Sequence, residues 1–367
     1  MSLEAARKAI EFLENHIIDD DFGKPHLKRA GVAVYPLEKK NFNKIYERKS
    51  RRTLAFVDGG NQEIIGAPNF SVQLNRVYSS AWKGRERAPW RLPRIEFFSS
   101  TYSCFREGKI YFETSAIPSS ANSERYLPDP EDLSINSMDR TIMNGRQRAG
   151  IERVGSIARK FSEWRMALRA LDDLSAGDIL VMDGTLQGNV TNEVKYSRAL
   201  SKAAKEKGIV LTGLSKTSSV FTTSGLSLNG AVSMLAKKEK IEGNWYLPVA
   251  VSQSMDHDVY ITIAKLNQFG DWVFRFEIQR EEYEDIGREG LAEVFSLLCE
   301  NSTDATFPGY PYGLIDADRF ARVSEDEVEY YRALVMSQIR NNGENSKFIS
   351  HIHARDAHEL LNLLVKQ

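Results

Sequence analysis

Apolar positions recur at two spacings along this chain. Ala6, Ile10, Leu13 and Ile17 repeat at helical spacing and predict an amphipathic helix over 3–18. Residues 39–52 are polar and basic, and the run Thr53-Leu54-Ala55-Phe56-Val57 that follows reads as a short strand closing on Asp58-Gly59-Gly60. Residues 71–78 alternate, and 95–105 and 109–114 flank the turn signal Glu107-Gly108, which predicts a meander. Residues 119–136, rich in Ser, Asn, Pro and Asp, read as a surface loop. A helical tract is expected over 138–174, with Gly145, Gly150 and Gly155 dividing it into two helices. A second apolar run, Ile179-Leu180-Val181-Met182, again closes on Asp183-Gly184. A helix over 193–207 and a strand over 209–213 follow, an order that suggests a parallel βαβ crossover. Strands are expected at 245–251, 259–266 and 272–278, and helices near 282–300, 311–321, 325–341 and 355–365. No repeat of 20–50 residues is visible.

The composition narrows the class. In 367 residues, 42% are hydrophobic and 27% charged, which suits a chain that buries a core and argues against global disorder. Lys+Arg 49 against Asp+Glu 50 gives a net charge of −1, so a wholly basic nucleic-acid packer is excluded while a basic groove is not. Cys104 and Cys299 are the only cysteines, too few for a disulfide scaffold or a cysteine-rich metal site. Acidic residues from Glu4 to Asp20 argue against a signal peptide, and no uncharged apolar run approaches the roughly 18–20 residues of a membrane span. The expected compartment is the cytoplasm.

The two Asp-Gly ends are the sharpest chemical feature. Each is expected to put a carboxylate where an apolar strand leaves its sheet, the edge at which α/β folds bind ligands. Two carboxylates brought together repel each other, and a hard divalent cation such as Mg²⁺ or Mn²⁺ relieves that repulsion through oxygen ligands. The alternative is that each Asp merely caps a turn before Gly. Glu163, in Arg159-Lys160-Phe161-Ser162-Glu163, is a third candidate; its alternative is an i, i+4 partner of Arg159, and Glu152 competes with it. Lys83, Arg85, Arg87, Arg91 and Arg94, interleaved with Trp82 and Trp90, suit single-stranded nucleic acid, cations on phosphates and flat rings on bases. The alternative is a solvated loop with one Trp buried. Lys216, just past its strand, can hold a phosphate as a point charge or simply face solvent. There is no Walker-type phosphate loop, no Gly-x-Gly-x-x-Gly after a strand and no His-Glu-x-x-His. His351, His353 and His358, with no cysteine nearby, read as structural or surface residues.

The order of five blocks resembles the NurA nuclease family. They are Phe56-Val57-Asp58-Gly59-Gly60; the helical Glu163 about twenty residues before the second Asp; Leu180-Val181-Met182-Asp183-Gly184-Thr185-Leu186; Gly213-Leu214-Ser215-Lys216-Thr217; and Pro308-Gly309-Tyr310-Pro311-Tyr312-Gly313-Leu314-Ile315-Asp316-Ala317-Asp318. The resemblance implies an α/β fold: an RNase H-like mixed β-sheet core flanked by helices, with helical N- and C-terminal extensions. It implies a division into a helical, basic extension (1–50), a nuclease domain (51–325) and C-terminal helices packed on the core (326–367). It further implies a homodimer with a channel for DNA, Mn²⁺-dependent (or Mg²⁺-dependent) 5′→3′ exonuclease and single-strand endonuclease activity, and partnership with a HerA-type hexameric translocase in end resection or anti-phage defence. By position, Asp58, Glu163 and Asp183 match the metal-binding acids, and Tyr310 a tyrosine near the site. The family pattern has His eight residues after that tyrosine, where this chain has Asp318, which can ligate a metal through oxygen but not as an imidazole. In the implied mechanism Asp58 bridges two ions, Asp183 and Glu163 complete one site and Asp318 the other, and Lys216 with the basic loop positions the phosphate. Two rival readings keep parts of this pattern: an inactive RNase H-like module that only grips DNA or assembles with a motor, and a phosphohydrolase of small molecules.

Overall fold

Strand Leu54–Ala67 runs nine residues past Asp58, because a partner of equal length continues its hydrogen-bond ladder. Phe70–Lys83 pairs with it antiparallel from Leu54↔Trp82 to Ala67↔Phe70, around a two-residue turn at Pro68-Asn69. Asp58-Gly59-Gly60 therefore lies within a strand, and the expected strand end there is corrected. The structure, a computed structural model, describes residues 3–17, 21–27, 31–254, 256–341 and 351. The helix expected at 355–365, with His353 and His358, lies outside them. The class is a mixed β-sheet with flanking helices, as expected. The chain divides into two compact units. One holds Met1–Arg52, Val181–Leu186 and Val210–Tyr312, and the other Thr53–Leu180, Gln187–Ile209 and Gly313–Gln367.

In the second unit the meander is as the alternation predicts. Phe70–Lys83 pairs with Ile95–Arg106, that strand with Lys109–Pro118, and that one with Ser134–Asn136, all antiparallel. Glu107 (φ 53) and Gly108 (φ 75) both take left-handed backbone, the conformation a two-residue hairpin loop needs to match strand twist. Segment 119–136 is more than a surface loop, because Tyr126, Leu133 and Ile135 are buried and 134–136 adds a strand. Helix Glu152–Ala170 buries Val154, Ile157, Ala158, Phe161 and Trp164. The helix expected before it, from 138, does not form. Asp139 Oδ1 accepts the Thr141 N–H at 2.8 Å and Gly145 sits at φ 61, so local turns take those backbone groups. Helix Glu193–Lys207 ends, as read, at Gly208 in the left-handed conformation.

In the first unit the strand order is Val32–Val34, Trp245–Ser254, His257–Lys265, Phe274–Gln279, Val210–Ser215. Helix Arg280–Glu300 buries Leu291, Val294, Phe295, Leu297 and Leu298, and is interrupted at Gly287 (φ 64, ψ −168). Helix Leu228–Lys238 was not expected from the sequence; Ser227 Oγ caps it by accepting the Gly230 N–H at 3.3 Å. Helix Leu3–Glu14 forms with its apolar stripe, yet none of its residues is buried. Strand Ile179–Asp183 is divided between the units. Ile179 N–H donates to Thr53 O at 2.9 Å in one, and Gly184 N–H to Leu214 O at 2.9 Å in the other.

Candidate metal centre and nucleic-acid interface

Asp58 is the fifth residue of its strand, opposite Tyr78, and is 8% exposed. Its Oδ1 accepts the N–H of Gly59 at 2.7 Å. The strand beneath it is fixed by close approach. A Cβ at Gly313 would lie 1.9 Å from the Phe56 ring, and one at Gly60 would lie 2.5 Å from the carbonyl oxygen of Ala321. Glycine at these points lets helix Tyr312–Ala321, which carries Asp318, lie directly on the strand. Asp318 is exposed, and Asp316 on the same helix pairs with Arg87.

Asp183 is the last residue of its strand. Tyr310 Oη donates to Asp183 Oδ1 at 3.2 Å, and Lys216 Nζ lies 3.0 Å from Oδ2 and 5.2 Å from the Tyr310 ring centroid. Three sequence blocks thus meet at one carboxylate. Tyr310 is 1% exposed and packs among Phe274 and Phe307, so its hydroxyl reaches Asp183 from a rigid base. The turn after Asp183 is pinned as well. A Cβ at Gly213 would lie 2.6 Å from Gly184 O, which only glycine avoids.

Asp58, Asp183 and Asp318 each offer a carboxylate oxygen, and the three atoms lie within 4.8 Å of one another. An all-oxygen, all-anionic donor set fits a hard divalent cation and disfavours soft ones.

Glu163 is outside that group. It is 2% exposed; Lys160 Nζ donates to its Oε2 at 2.9 Å and Arg159 pairs with its Oε1. The i, i+4 pairing weighed as its alternative is thus present. Its position is still close to Asp58 along the chain's fold, because a Cβ on Gly59 would lie 2.5 Å from Glu163 Oε1. Arg159 also donates to Gly59 O at 2.9 Å.

The basic segment is a built hairpin. Glu86–Arg87 folds back on the end of Phe70–Lys83, with Trp82↔Arg87 and Lys83↔Glu86 paired and Gly84 at φ 58. Lys83, Arg85, Arg87, Arg91 and Arg94 are all exposed, and Trp82 and Trp90 half-buried. Both indole N–H groups donate to serines of the supporting strand, Trp82 to Ser80 at 3.0 Å and Trp90 to Ser79 at 2.9 Å. Arg87 differs from the other four, because it pairs with Asp316 and lies 5.8 Å over Trp82.

Sequence reasoning missed Glu277. This carboxylate is 0% exposed, and its Oε2 accepts the Leu186 N–H at 2.9 Å and bonds His257 Nε2 at 2.9 Å, with an Arg275 guanidinium nitrogen 2.6 Å from Oε1. Burial alone would raise its pKa; Arg275, His257 and the Leu186 N–H outweigh burial and hold it below the ordinary glutamate value. It therefore carries charge inside the unit and ties down the turn that follows Asp183. Its only sequence signal is alternation, Phe274-Arg275-Phe276-Glu277-Ile278, in which the polar positions read as a solvent face.

The NurA domain matches residues 52–323. This chain belongs to the NurA family. The match contains all five blocks, which run from Phe56 to Asp318. Among solved structures the chain is similar to the NurA nuclease from Sulfolobus solfataricus, at 13% identity and a TM-score of 0.51, over 92% of this chain and 94% of that one. It is also similar to endonuclease V from Ciona intestinalis in complex with DNA, at 10% identity and a TM-score of 0.37, over 90% of this chain and 100% of that one. No curated protein sequence matches it. At such identity the likeness to the Sulfolobus NurA structure is one of fold, and the mixed β-sheet with flanking helices expected for this chain is the architecture found. Among the described residues, no helix is long and apolar enough to cross a membrane.

Proposed function

We propose that this NurA chain is a metal-dependent nuclease that hydrolyses phosphodiester bonds of DNA. The observation that carries the reading is the convergence of the Asp58, Asp183 and Asp318 oxygens within 4.8 Å. These three side chains would hold Mn²⁺ or Mg²⁺. A bound cation of this kind supplies Lewis acidity at the phosphate and a hydroxide-like water at neutral pH.

The chain's own groups do the rest. Tyr310 fixes the orientation of Asp183 through its hydroxyl. Lys216, held beside the same carboxylate, offers a positive charge to a phosphate oxygen. Lys83, Arg85, Arg91 and Arg94 hold backbone phosphates, while Trp82 and Trp90 are anchored to present ring surface to unpaired bases. In the fuller scheme two ions would be held by Asp58, Asp183, Glu163 and Asp318 together. Glu163 would join by giving up an ion pair with Arg159 or Lys160. The family resemblance supports extending this to 5′→3′ exonuclease and single-strand endonuclease action, a homodimer around DNA, and work with a HerA-type hexameric translocase in end resection or anti-phage defence.

The test is degradation of labelled single-stranded DNA with Mn²⁺ or Mg²⁺, with EDTA as control. Losing a partner of a metal ligand typically costs about 10–100-fold, so loss of a ligand itself, in Asp58→Ala or Asp183→Ala, should cost more than about 100-fold. Unchanged cleavage in folded Asp58→Ala overturns the site. Metal-independent DNA binding with no cleavage would make the chain a DNA-gripping module instead. Co-elution with a hexameric translocase, and a dimer in sizing experiments, check the assembly.

A further inference from the structure

Within the first unit, away from the acids, a cleft of about 260 Å³ lies between strands Trp245–Ser254 and His257–Lys265 and helix Arg280–Glu300. It is smaller than the roughly 300–1,000 Å³ pockets that enclose a drug-sized ligand, so it suits a single compact group. Four tyrosines line it, and each already makes a ring contact. Tyr260 stacks on Tyr283 at 4.0 Å and 6°, Tyr35 meets Tyr260 edge-on at 6.2 Å, and Tyr246 stacks on Phe295 at 4.5 Å. What the tyrosines offer is hydroxyls. Burial raises the pKa of Tyr35, Tyr246 and Tyr260, so these phenols stay neutral donors throughout the physiological range.

The charged members are both cationic. Arg288 donates to Asn43 Oδ1 and to the Tyr246 phenol, and no carboxylate pairs with it among the described residues. Lys40 is 2.7 Å from Glu38, but both side chains are largely exposed, and such a pair is readily exchanged for a stronger anion. No carboxylate lines the cleft. Neutral hydroxyl donors between an arginine and a lysine complement a tetrahedral oxyanion.

The cleft also lies at a useful place in the sheet. Tyr260 pairs with Ile278, and Ile278 with Thr212. Ser215, the last residue of its strand and the neighbour of Lys216, is therefore two strand spacings (about 10 Å) across the sheet and three residues (about 10 Å) along it.

We infer that this cleft is a subsite for one backbone phosphate of a nucleic-acid strand, bound by Arg288 and Lys40 with tyrosine hydroxyls as further donors. The inference rests on the nuclease reading and extends it, because it places a phosphate contact away from the acids and from the basic hairpin.

The experiment measures binding of fluorescent oligo(dT) to the full chain in EDTA, across a salt series, for wild type, Arg288→Gln, Lys40→Gln and Tyr283→Phe. Each phosphate contact adds about 0.7 to the slope of log affinity against log salt on single strands. Arg288→Gln and Lys40→Gln should each weaken binding several-fold and lower the slope by up to that amount; Tyr283→Phe should weaken binding without changing the slope. Unchanged affinity and slope in Arg288→Gln, with unchanged melting, overturns the subsite. If Arg288→Gln melts lower, Lys40→Gln decides by the same criterion. Competition by dTMP or inorganic phosphate separates the two sources of phosphate. Loss of dTMP binding in Arg288→Gln with oligo(dT) binding intact assigns the cleft to a free nucleotide and overturns the backbone assignment. Failure of wild type to bind oligo(dT) both in EDTA and with Ca²⁺ in its place removes the nuclease reading itself.

Discussion

The segments Phe56-Val57-Asp58-Gly59 and Val181-Met182-Asp183-Gly184 share an Asp-Gly pair after two apolar residues but are held by different forces. Asp58 lies inside a 14-residue strand, with ladder partners on either side of it and a helix laid on Phe56 through Gly313. Asp183 ends a five-residue strand, and its orientation comes from polar groups: Tyr310, Lys216, and a following turn tied to Leu214 O and to buried Glu277. The comparison teaches that a carboxylate can be positioned either by ladder and packing or by charged hydrogen bonds. The two designs should fail in different ways.

Glu277→Gln tests the polar design and should have the largest effect. Removing one member of a buried charged network costs about 3–5 kcal/mol, since Arg275 keeps its charge without its partner. The sign with pH follows from a carboxyl held below its unfolded pKa. Its stabilisation is present above the ordinary glutamate value of 4.5 and is lost as pH falls through the lower folded value. Denaturant melts from pH 7 downward should show the gap between wild type and variant narrowing below that range. A gap that stays constant would mean that Glu277 is not ionised in the fold.

Gly313→Ala tests the packing design. The added methyl would lie 1.9 Å from the Phe56 ring, so the helix or the ring must move. Overpacking of this kind costs about 1–3 kcal/mol, and the loss should not depend on pH. Cleavage should fall with it, because the shift moves Asp318 relative to Asp58, and urea melts beside nuclease assays would show both. Unchanged stability would show that this contact does not fix the Asp58 strand.

Gly184→Ala is expected to be the mildest. A Cβ there meets nothing within 4 Å, so the penalty is only that of φ 108, about 1–2 kcal/mol. If Gly184→Ala proves as damaging as Glu277→Gln, the turn rather than the buried carboxylate holds Asp183.

Much of the fold was legible because local patterns carry it. The meander over 70–118, helix Glu193–Lys207 and strand Ile179–Asp183 follow from alternation, helical period and glycine stops. A helix was read where none forms at 138–151, because there Asp139 turns the chain before a helix can start. The length of the Asp58 strand was illegible, since Asn61, Gln62 and Glu63 are poor strand formers carried by a ladder that only the partner supplies. Glu277 was illegible for a related reason: a polar position on a strand does not say whether water or a buried cation faces it.

The sequence by itself marked which residues are candidates for the proposed chemistry, since Asp58, Asp183, Lys216, Tyr310 and Asp318 stand out through their blocks and spacing. The tertiary structure decided which of them meet. Asp58, Asp183 and Asp318 come within 4.8 Å of one another although they are distant along the chain. Glu163 instead satisfies its charge with Arg159 and Lys160, the cations one helical turn away. The physical reason is range: propensity and periodicity act over a few residues, whereas the energy of a carboxylate depends on whatever charges the fold brings near it.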